Sequence, residues 1–272
     1  MRDHRAALFF ENGLYSAYMG HMTSRIAQLT YAIGDIHGYD DLFERMIAHI
    51  REDAAAFGER PRIVLLGDYV DRGPASRQVL ERVRLLQSAD WCDVVALMGN
   101  HEEALLRFLD EPEFGETWRD WGGAATLDSY GVVMPYMARS MEIWEVVSQR
   151  FAAGIDPAHL EMLRAMPSSF QADDYLFVHA GVDPDRPLAE QDGATFMYIR
   201  GRFLRADQAC EYVVVHGHSP HKVPVNTRWR IGIDTGVYYS GILTAMRLRD
   251  EDRELIQVSR EMDLDRPSPV FF

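Results

Sequence analysis

Apolar residues along this chain come in short runs that end abruptly in polar clusters. The runs Tyr31-Ala32-Ile33, Ile63-Val64-Leu65-Leu66, Val94-Val95-Ala96-Leu97-Met98, Tyr175-Leu176-Phe177-Val178 and Tyr212-Val213-Val214-Val215 are rich in β-branched and aromatic residues and stop close to a glycine, a pattern that predicts buried strands. Between the early runs the spacing becomes that of amphipathic helices. Leu42, Met46, Ile47 and Ile50 form one apolar face, which Asp40 or Asp41 would cap. Val79, Leu80, Val83 and Leu86 form a second face after Gly73-Pro74, with the proline at the helix start, and Leu105, Leu106 and Leu109 form a third within Glu102 to Leu109. Strands alternating with helices predict an α/β domain with a largely parallel central sheet covered on both faces.

The alternation stops between about Asp110 and Phe170, where helical segments carry Trp118, Trp121 and Trp144; this stretch reads as a helical insertion at about 111–170. Strands return after Val178, and Arg230-Ile231-Gly232-Ile233-Asp234 followed by Leu243-Thr244-Ala245-Met246 predicts an antiparallel closing pair. Residues 1–25 lack periodicity and include Met19-Gly20-His21-Met22, so they read as a flexible N-terminal extension, with 26–272 as a single domain; His4 and His21 then belong to a tail. The closing Arg266–Phe272 stretch is expected to be extended.

Charge and composition narrow the partners. The chain has 28 Lys plus Arg against 42 Asp plus Glu, a formal charge of −14, which argues against broad binding to nucleic-acid backbone and requires a local positive centre for any anionic substrate. No run has the length of a membrane-spanning helix, and the first thirty residues lack a signal-peptide stretch. Cys92 and Cys210 read as reduced thiols rather than a disulfide. The expectation is a cytoplasmic protein without a membrane partner.

The chemistry lies in the clusters that end the runs: Gly34-Asp35-Ile36-His37-Gly38, Gly67-Asp68-Tyr69-Val70-Asp71-Arg72-Gly73, Gly99-Asn100-His101-Glu102, His179-Ala180-Gly181 and His216-Gly217-His218-Ser219. Placed at strand carboxyl ends, they converge on one sheet edge, where open α/β sheets bind ligands. Carboxylates and imidazoles so gathered call for a cation. Alternate residues of a strand end point the same way, so Asp35 and His37 can grip one divalent ion, Asp68 can bridge to a second with its two oxygens, and Asn100, His179 and His218 can complete that second ion. His216 and His218 compete for this last place, since both face the same side.

These motifs, in this order over roughly residues 30 to 247, resemble the metal-dependent phosphoprotein phosphatase family within the calcineurin-like metallophosphoesterases. The resemblance implies a β-sandwich flanked by helices (αββα), with Asp35, His37 and Asp68 on one ion and Asp68, Asn100, His179 and His218 on the other. It favours His218 as the ligand, from Gly217-His218-Ser219-Pro220, and leaves His216 and His221 beside the ligands or at the rim. It implies two divalent ions, manganese first, iron or zinc otherwise, that hold a hydroxide for in-line attack on phosphorus. His101 would be the general acid, Asp71 would orient it, and Arg72 would bind phosphate. Arg200 or Arg202 would supply a second arginine, and Tyr238 would line the substrate site beside Tyr239.

The expected reaction is hydrolysis of phosphate monoesters, with a phosphoprotein or a small phosphoester as substrate and phosphoserine or phosphothreonine foremost. The alternative is a diadenosine tetraphosphatase-like hydrolase of nucleotide anhydrides; Asp71 and Glu102 depart from the Ala-Arg-Gly and Gly-Asn-His-Asp typical of bacterial members of that group. A third reading is a catalytically silent metal-binding scaffold, although no ligand or acid is missing. Plainer roles compete at several positions. Glu102 suits a helix start, Asp234 suits a turn as well as a place behind a ligand, and Trp118, Trp121 and Gly122-Gly123 suit insertion packing as well as a substrate rim.

Overall fold

Alternation within each strand decides the layers. Tyr31 and Ile33 point to one side of their strand and Ala32 to the other, as do Ile63 and Leu65 against Val64, because successive side chains of a strand face opposite ways. The first set packs against helices and the second against another sheet. The computed structural model, which describes residues 24–134 and 140–260, accordingly shows two mixed five-stranded sheets face to face, with helices outside each.

The first sheet has the order β10-β9-β1-β2-β3, from β1 (Ile26–Ile33), β2 (Arg62–Leu65), β3 (Asp93–Ala96), β9 (Ile242–Asp250) and β10 (Asp252–Ser259). Strands β1, β2 and β3 are parallel, whereas β9 runs antiparallel to both β1 and β10. The second sheet has the order β4-β5-β6-β8-β7, from β4 (Ser169–Ala172), β5 (Tyr175–Val178), β6 (Val213–His216), β7 (Val225–Asn226) and β8 (Arg230–Gly232). Ala32, Val64, Phe177, Val215, Ile231 and Met246 fill the space between the sheets.

Outside the first sheet lie α1 (Asp40–Phe57), α2 (Ser76–Gln87) and α3 (Asn100–Asp110). Their apolar stripes, including Phe43, Met46, Val79, Val83 and Phe108, form the largest core cluster. Beyond α3 come short helices α4 (Gly115–Trp118) and α5 (Ala124–Ser129), joined by a π-helical turn at Arg119–Gly123, and then α6 (Met141–Gly154) and α7 (Pro157–Ala165). Trp118, Trp144 and Phe151 of these segments join the same cluster as Phe108. The second sheet's outer face packs Leu176, Val178 and Val214 against Phe196 of α8 (Gly193–Tyr198) and Phe203 of α9 (Gly201–Leu204).

Three expectations change. The proposed closing pair does not form, because β8 and β9 belong to different sheets; α10 (Val237–Ser240), flanked by Gly236 and Gly241 at φ 62° and 67°, carries the chain across. The antiparallel partner of β9 is β10, an edge strand whose Asp252, Arg253, Glu254 and Gln257 hide its apolar alternation. Neither Asp40 nor Asp41 caps α1, whose N-cap is Tyr39; their carboxylates bind Arg82 and Arg260 at 2.7 and 2.9 Å instead. Pro74 lies before Ala75, the N-cap of α2, and so outside that helix. The tail histidines, most of the expected N-terminal extension and the closing Arg266–Phe272 stretch lie outside the described residues.

The shared cluster generates a stability prediction. Phe108 is fully buried, with ring centroids 4.9 Å from Trp118 and 6.0 Å from Trp144. Phe108→Ala should therefore lower unfolding free energy by about 3–5 kcal/mol while leaving one cooperative transition, as read by urea denaturation.

Candidate metal centre

Each cluster that ends an apolar run does reach the same rim. Asp35 and His37 follow β1, Asp68 follows β2, Asn100 and His101 open α3, His179 follows β5, and His218 follows β6; all are buried. Several depart from ordinary backbone geometry to get there. His37, Asp68, Asp71, Arg72 and His218 have φ of 45°, 54°, 70°, 70° and 60°, a left-handed conformation that non-glycine residues hold only when surrounding contacts enforce it.

For Asp68 those contacts are visible. Both oxygens of the Glu102 carboxylate accept backbone N–H groups, from Asp68 at 2.7 Å, Tyr69 at 2.8 Å, Val70 at 3.2 Å and Gly99 at 3.0 Å. Glu102 thus ties the β2 turn to the start of α3, a far larger role than favouring a helix N-terminus. Burial, followed by the Asp68 charge, pushes its pKa up to about 8.

The ring orientations show where lone pairs gather. His179 Nδ1 lies 2.8 Å from the Leu66 carbonyl and must donate to it, so Nε2 is left as a lone pair. That Nε2 lies 3.3 Å from Asp68 Oδ1, 3.0 Å from Asn100 Oδ1 and 3.2 Å from His218 Nδ1. His37 repeats the pattern: Nδ1 is held by the Val70 carbonyl at 2.9 Å, and Nε2 faces Asp68 Oδ2 at 3.6 Å. Buried electron pairs directed at one another, as those of His179 Nε2 and the Asp68 carboxylate and of His37 Nε2 and Asp68 Oδ2, are unstable without a cation between them. Two sets of potential ligand atoms each fall within 4.8 Å, namely His37, Asp68 and His101, and Asp68, His179 and His218. Asp68 is common to both. The donor set, imidazole nitrogens with carboxylate and amide oxygens, therefore fits a pair of divalent ions.

Electrostatics agree. Burial, then the charges of Asp234 and Asp68, holds Asp35 well above the usual carboxylate range, and burial raises Asp234 to about 6. Burial opposes ionisation of Asp68 as well, but the imidazoles of His179, His101 and His37 outweigh it and lower its pKa. Burial lowers His37 and His179, and takes His218 to about 2, which keeps these rings neutral and able to ligate. His101 differs: burial acts downward, yet Asp68 and Asp71 together raise it above an ordinary imidazole. Its Nδ1 donates to Asp71 Oδ2 at 2.7 Å, and its Nε2 lies 3.3 Å from an Arg72 nitrogen.

The match to a family profile settles the class: calcineurin-like phosphoesterase fits residues 29–252. The chain belongs to that family. This phosphoesterase is 28% identical over 253 residues to the asymmetrical bis(5'-nucleosyl)-tetraphosphatase PrpE of Bacillus subtilis, covering 88% of this chain and 98% of that one. Its fold is similar to that of a protein provisionally described as a diadenosine tetraphosphatase, with a TM-score of 0.54 at 18% identity over 87% of this chain and 95% of the other. It is also similar to the cold-active protein tyrosine phosphatase of a Shewanella species, with a TM-score of 0.53 at 16% identity over 84% and 80% of the two chains. The protein is a metal-dependent phosphoesterase with an αββα fold.

A cavity of about 890 Å³ opens over the ligands, lined by Arg72, Trp121, Tyr198, Arg200, Tyr238 and Tyr239. Arg200 faces it and donates from Nε to His218 Nε2 at 2.8 Å. Arg202 does not line it; its side chain is 59% exposed and pairs with Asp183 at 3.1 Å, so the expectation of Arg202 as a phosphate ligand is withdrawn. Tyr238 packs its ring 4.1 Å from the Arg72 guanidinium. His216 is buried away from the rim, its Nδ1 on the Gly217 carbonyl and its Nε2 facing Arg230. Asp234 fills both roles expected of it, accepting from Gly236 N at 2.8 Å while its carboxyl stands beside Asp35. Tyr198 and Thr126 were not singled out from sequence. Tyr198 sits in no recognisable motif, and Thr126 meets Asp71 only through the fold.

Ligand binding to the folded state alone raises stability by mass action. Mn²⁺ at a hundred times its dissociation constant should therefore add roughly 2.7 kcal/mol, read as an upward shift in Tm, and Asp68→Ala should abolish the shift.

Proposed function

We propose that this phosphoesterase cleaves the anhydride chain of dinucleoside polyphosphates such as diadenosine tetraphosphate. The observation that carries this reading is the likeness to PrpE along nearly the whole of both chains. The cavity supports it, because aromatic faces at Trp121, Tyr198 and Tyr239 suit stacking of nucleobases, and Arg72 and Arg200 suit a polyphosphate.

In this reading Asp35, His37 and Asp68 hold one divalent ion and Asp68, Asn100, His179 and His218 hold the other. Two such ions, manganese before iron or zinc, would draw charge off the phosphoryl oxygens and make water nucleophilic at neutral pH. The chain's own groups do the rest. His218 accepts from Arg200 at Nε2, so its proton sits on Nδ1; ligation through Nδ1 would shift that proton to Nε2 and free Arg200 to turn to the phosphate. Arg72, stacked on Tyr238, presents its planar fork to the same group. His101 delivers a proton from Nε2 to the departing oxygen, while Asp71 fixes the ring through Nδ1.

Hydrolysis of phosphate monoesters, including phosphoserine and phosphothreonine in proteins, stands as a second reading. The His101–Asp71 pair favours it, because a basic alkoxide leaving group needs a positioned acid more than a nucleotide does.

Kinetics of the manganese-loaded protein on diadenosine tetraphosphate, a phosphoserine peptide and p-nitrophenyl phosphate should give the highest kcat/KM for the dinucleotide, with ATP and AMP as products. Preference for the peptide would transfer the assignment to the second reading, and no turnover of any substrate despite bound metal would leave the scaffold. His101→Ala should keep both ions by elemental analysis and lose about 10²–10⁴-fold in kcat on the peptide, with a smaller loss on p-nitrophenyl phosphate.

A further inference from the structure

The general acid is held in place from the helical insertion. Asp71 is fully buried, and among the described residues its carboxylate makes no salt bridge to lysine or arginine. What surrounds it comes largely from the segment Trp118–Thr126. Trp118 Nε1 donates to Asp71 Oδ2 at 2.8 Å, the same oxygen that holds His101. Thr126 Oγ1 lies 2.6 Å from Asp71 Oδ1 and also accepts Asp71 N at 2.8 Å. The threonine has one proton, which goes to the carboxylate, so its oxygen is free to hold the backbone N–H of a residue at φ 70°. One hydroxyl thereby meets both the side chain and the backbone of Asp71, sharing the backbone N–H with Ser76 Oγ of α2 at 3.1 Å.

The glycines between them belong to the same device. The Gly122 carbonyl accepts Arg72 N at 3.2 Å, and a Cβ on Gly122, at φ 111°, would come within 2.8 Å of the Arg72 backbone nitrogen. A Cβ on Gly123 would fall 2.5 Å from the Trp118 ring. The close approach of the insertion to Asp71-Arg72 therefore requires both glycines.

We propose that Trp118 and Thr126 are positioning residues for phosphoryl transfer, acting through Asp71 to aim His101 at the leaving group. The proposal rests on the reading of His101 as the general acid. It separates from mere packing because the Trp118 ring already has apolar partners in Phe108 and Phe151, whereas its N–H serves only Asp71 among the described residues.

The test pairs Trp118→Phe, which keeps an aromatic ring and loses the N–H, with Thr126→Val and Thr126→Ser, each made alone and together with His101→Ala. Turnover of the full-length, manganese-loaded protein is measured on a phosphoserine peptide and on p-nitrophenyl phosphate, together with Tm and metal content. Trp118→Phe and Thr126→Val should each lower kcat on the peptide by about tenfold or more, and Thr126→Ser should restore it. Once His101 is alanine, the same changes should add no further loss, because their effect passes through the imidazole. Equal losses with and without His101 would overturn the proposal. Equal loss on both substrates for His101→Ala alone would instead overturn the acid assignment, and the coupling would still decide the positioning role. If Trp118→Phe lowers Tm, the contrast between valine and serine at Thr126 decides.

Discussion

Everything at this rim depends on the Asp68 carboxylate, buried among the imidazoles of His37, His101 and His179 with no lysine or arginine paired to it among the described residues. Removing a charge from water costs several kcal/mol even after the protein relaxes, and imidazole lone pairs from His37 and His179 add no compensating proton. The β2 turn would open if it were free to do so. It is not free, because Glu102 gathers four backbone N–H groups and locks the turn onto α3. The carboxyl of Glu102 is itself buried beside Asp68, and burial with that neighbouring charge disfavours its ionised form. Cations relieve both at once. The centre is thus preorganised for binding by backbone geometry, and folding stability and metal affinity are coupled.

That coupling explains which features were legible in the sequence. Strand ends could be read because buried parallel strands are short continuous apolar runs, and because Asp, Asn and His directly after glycine have few structural reasons to recur four times there. The residues expected to hold metal, Asp35, His37, Asp68, Asn100, His179 and His218, are all buried, and His179 Nε2 lies within 3.3 Å of atoms of Asp68, Asn100 and His218. What escaped notice depends on partners distant in sequence. Glu102 looked like a helix-start residue because its four N–H partners lie mostly some 33 residues earlier, and Thr126 lies 55 residues from Asp71. Strand β10 escaped because an edge strand is kept polar against aggregation. Arg200 and Arg202 could not be separated by motif. Their fates were set by whether the start of α9 turned each toward the cavity or toward Asp183.

The insertion bears on the acid role proposed for His101. A histidine beside an aspartate is a local pair in most schemes, and here the pair is extended by a tryptophan N–H and a threonine hydroxyl from a different layer of the fold. Those donors compete with His101 for the same carboxylate. Each hydrogen bond accepted by Asp71 draws charge from it and weakens its hold on the imidazolium, so the network trades the protonated fraction of His101 against its aim.

The same trade bears on the choice between anhydride and monoester. A nucleotide leaving group is a weak base and departs with little proton transfer, whereas a serine alkoxide departs only as the proton arrives. A centre with two guanidiniums, an aromatic-walled cavity and a four-membered acid network has machinery for both bonds, and its selectivity must then come from binding. In the proposed reading the aromatic faces would discriminate there, since Trp121 and Tyr239 line the cavity and a nucleobase can stack on either. Selection between the two bonds would then fall to the aromatic and arginine side chains that line the pocket around the carboxylates and imidazoles.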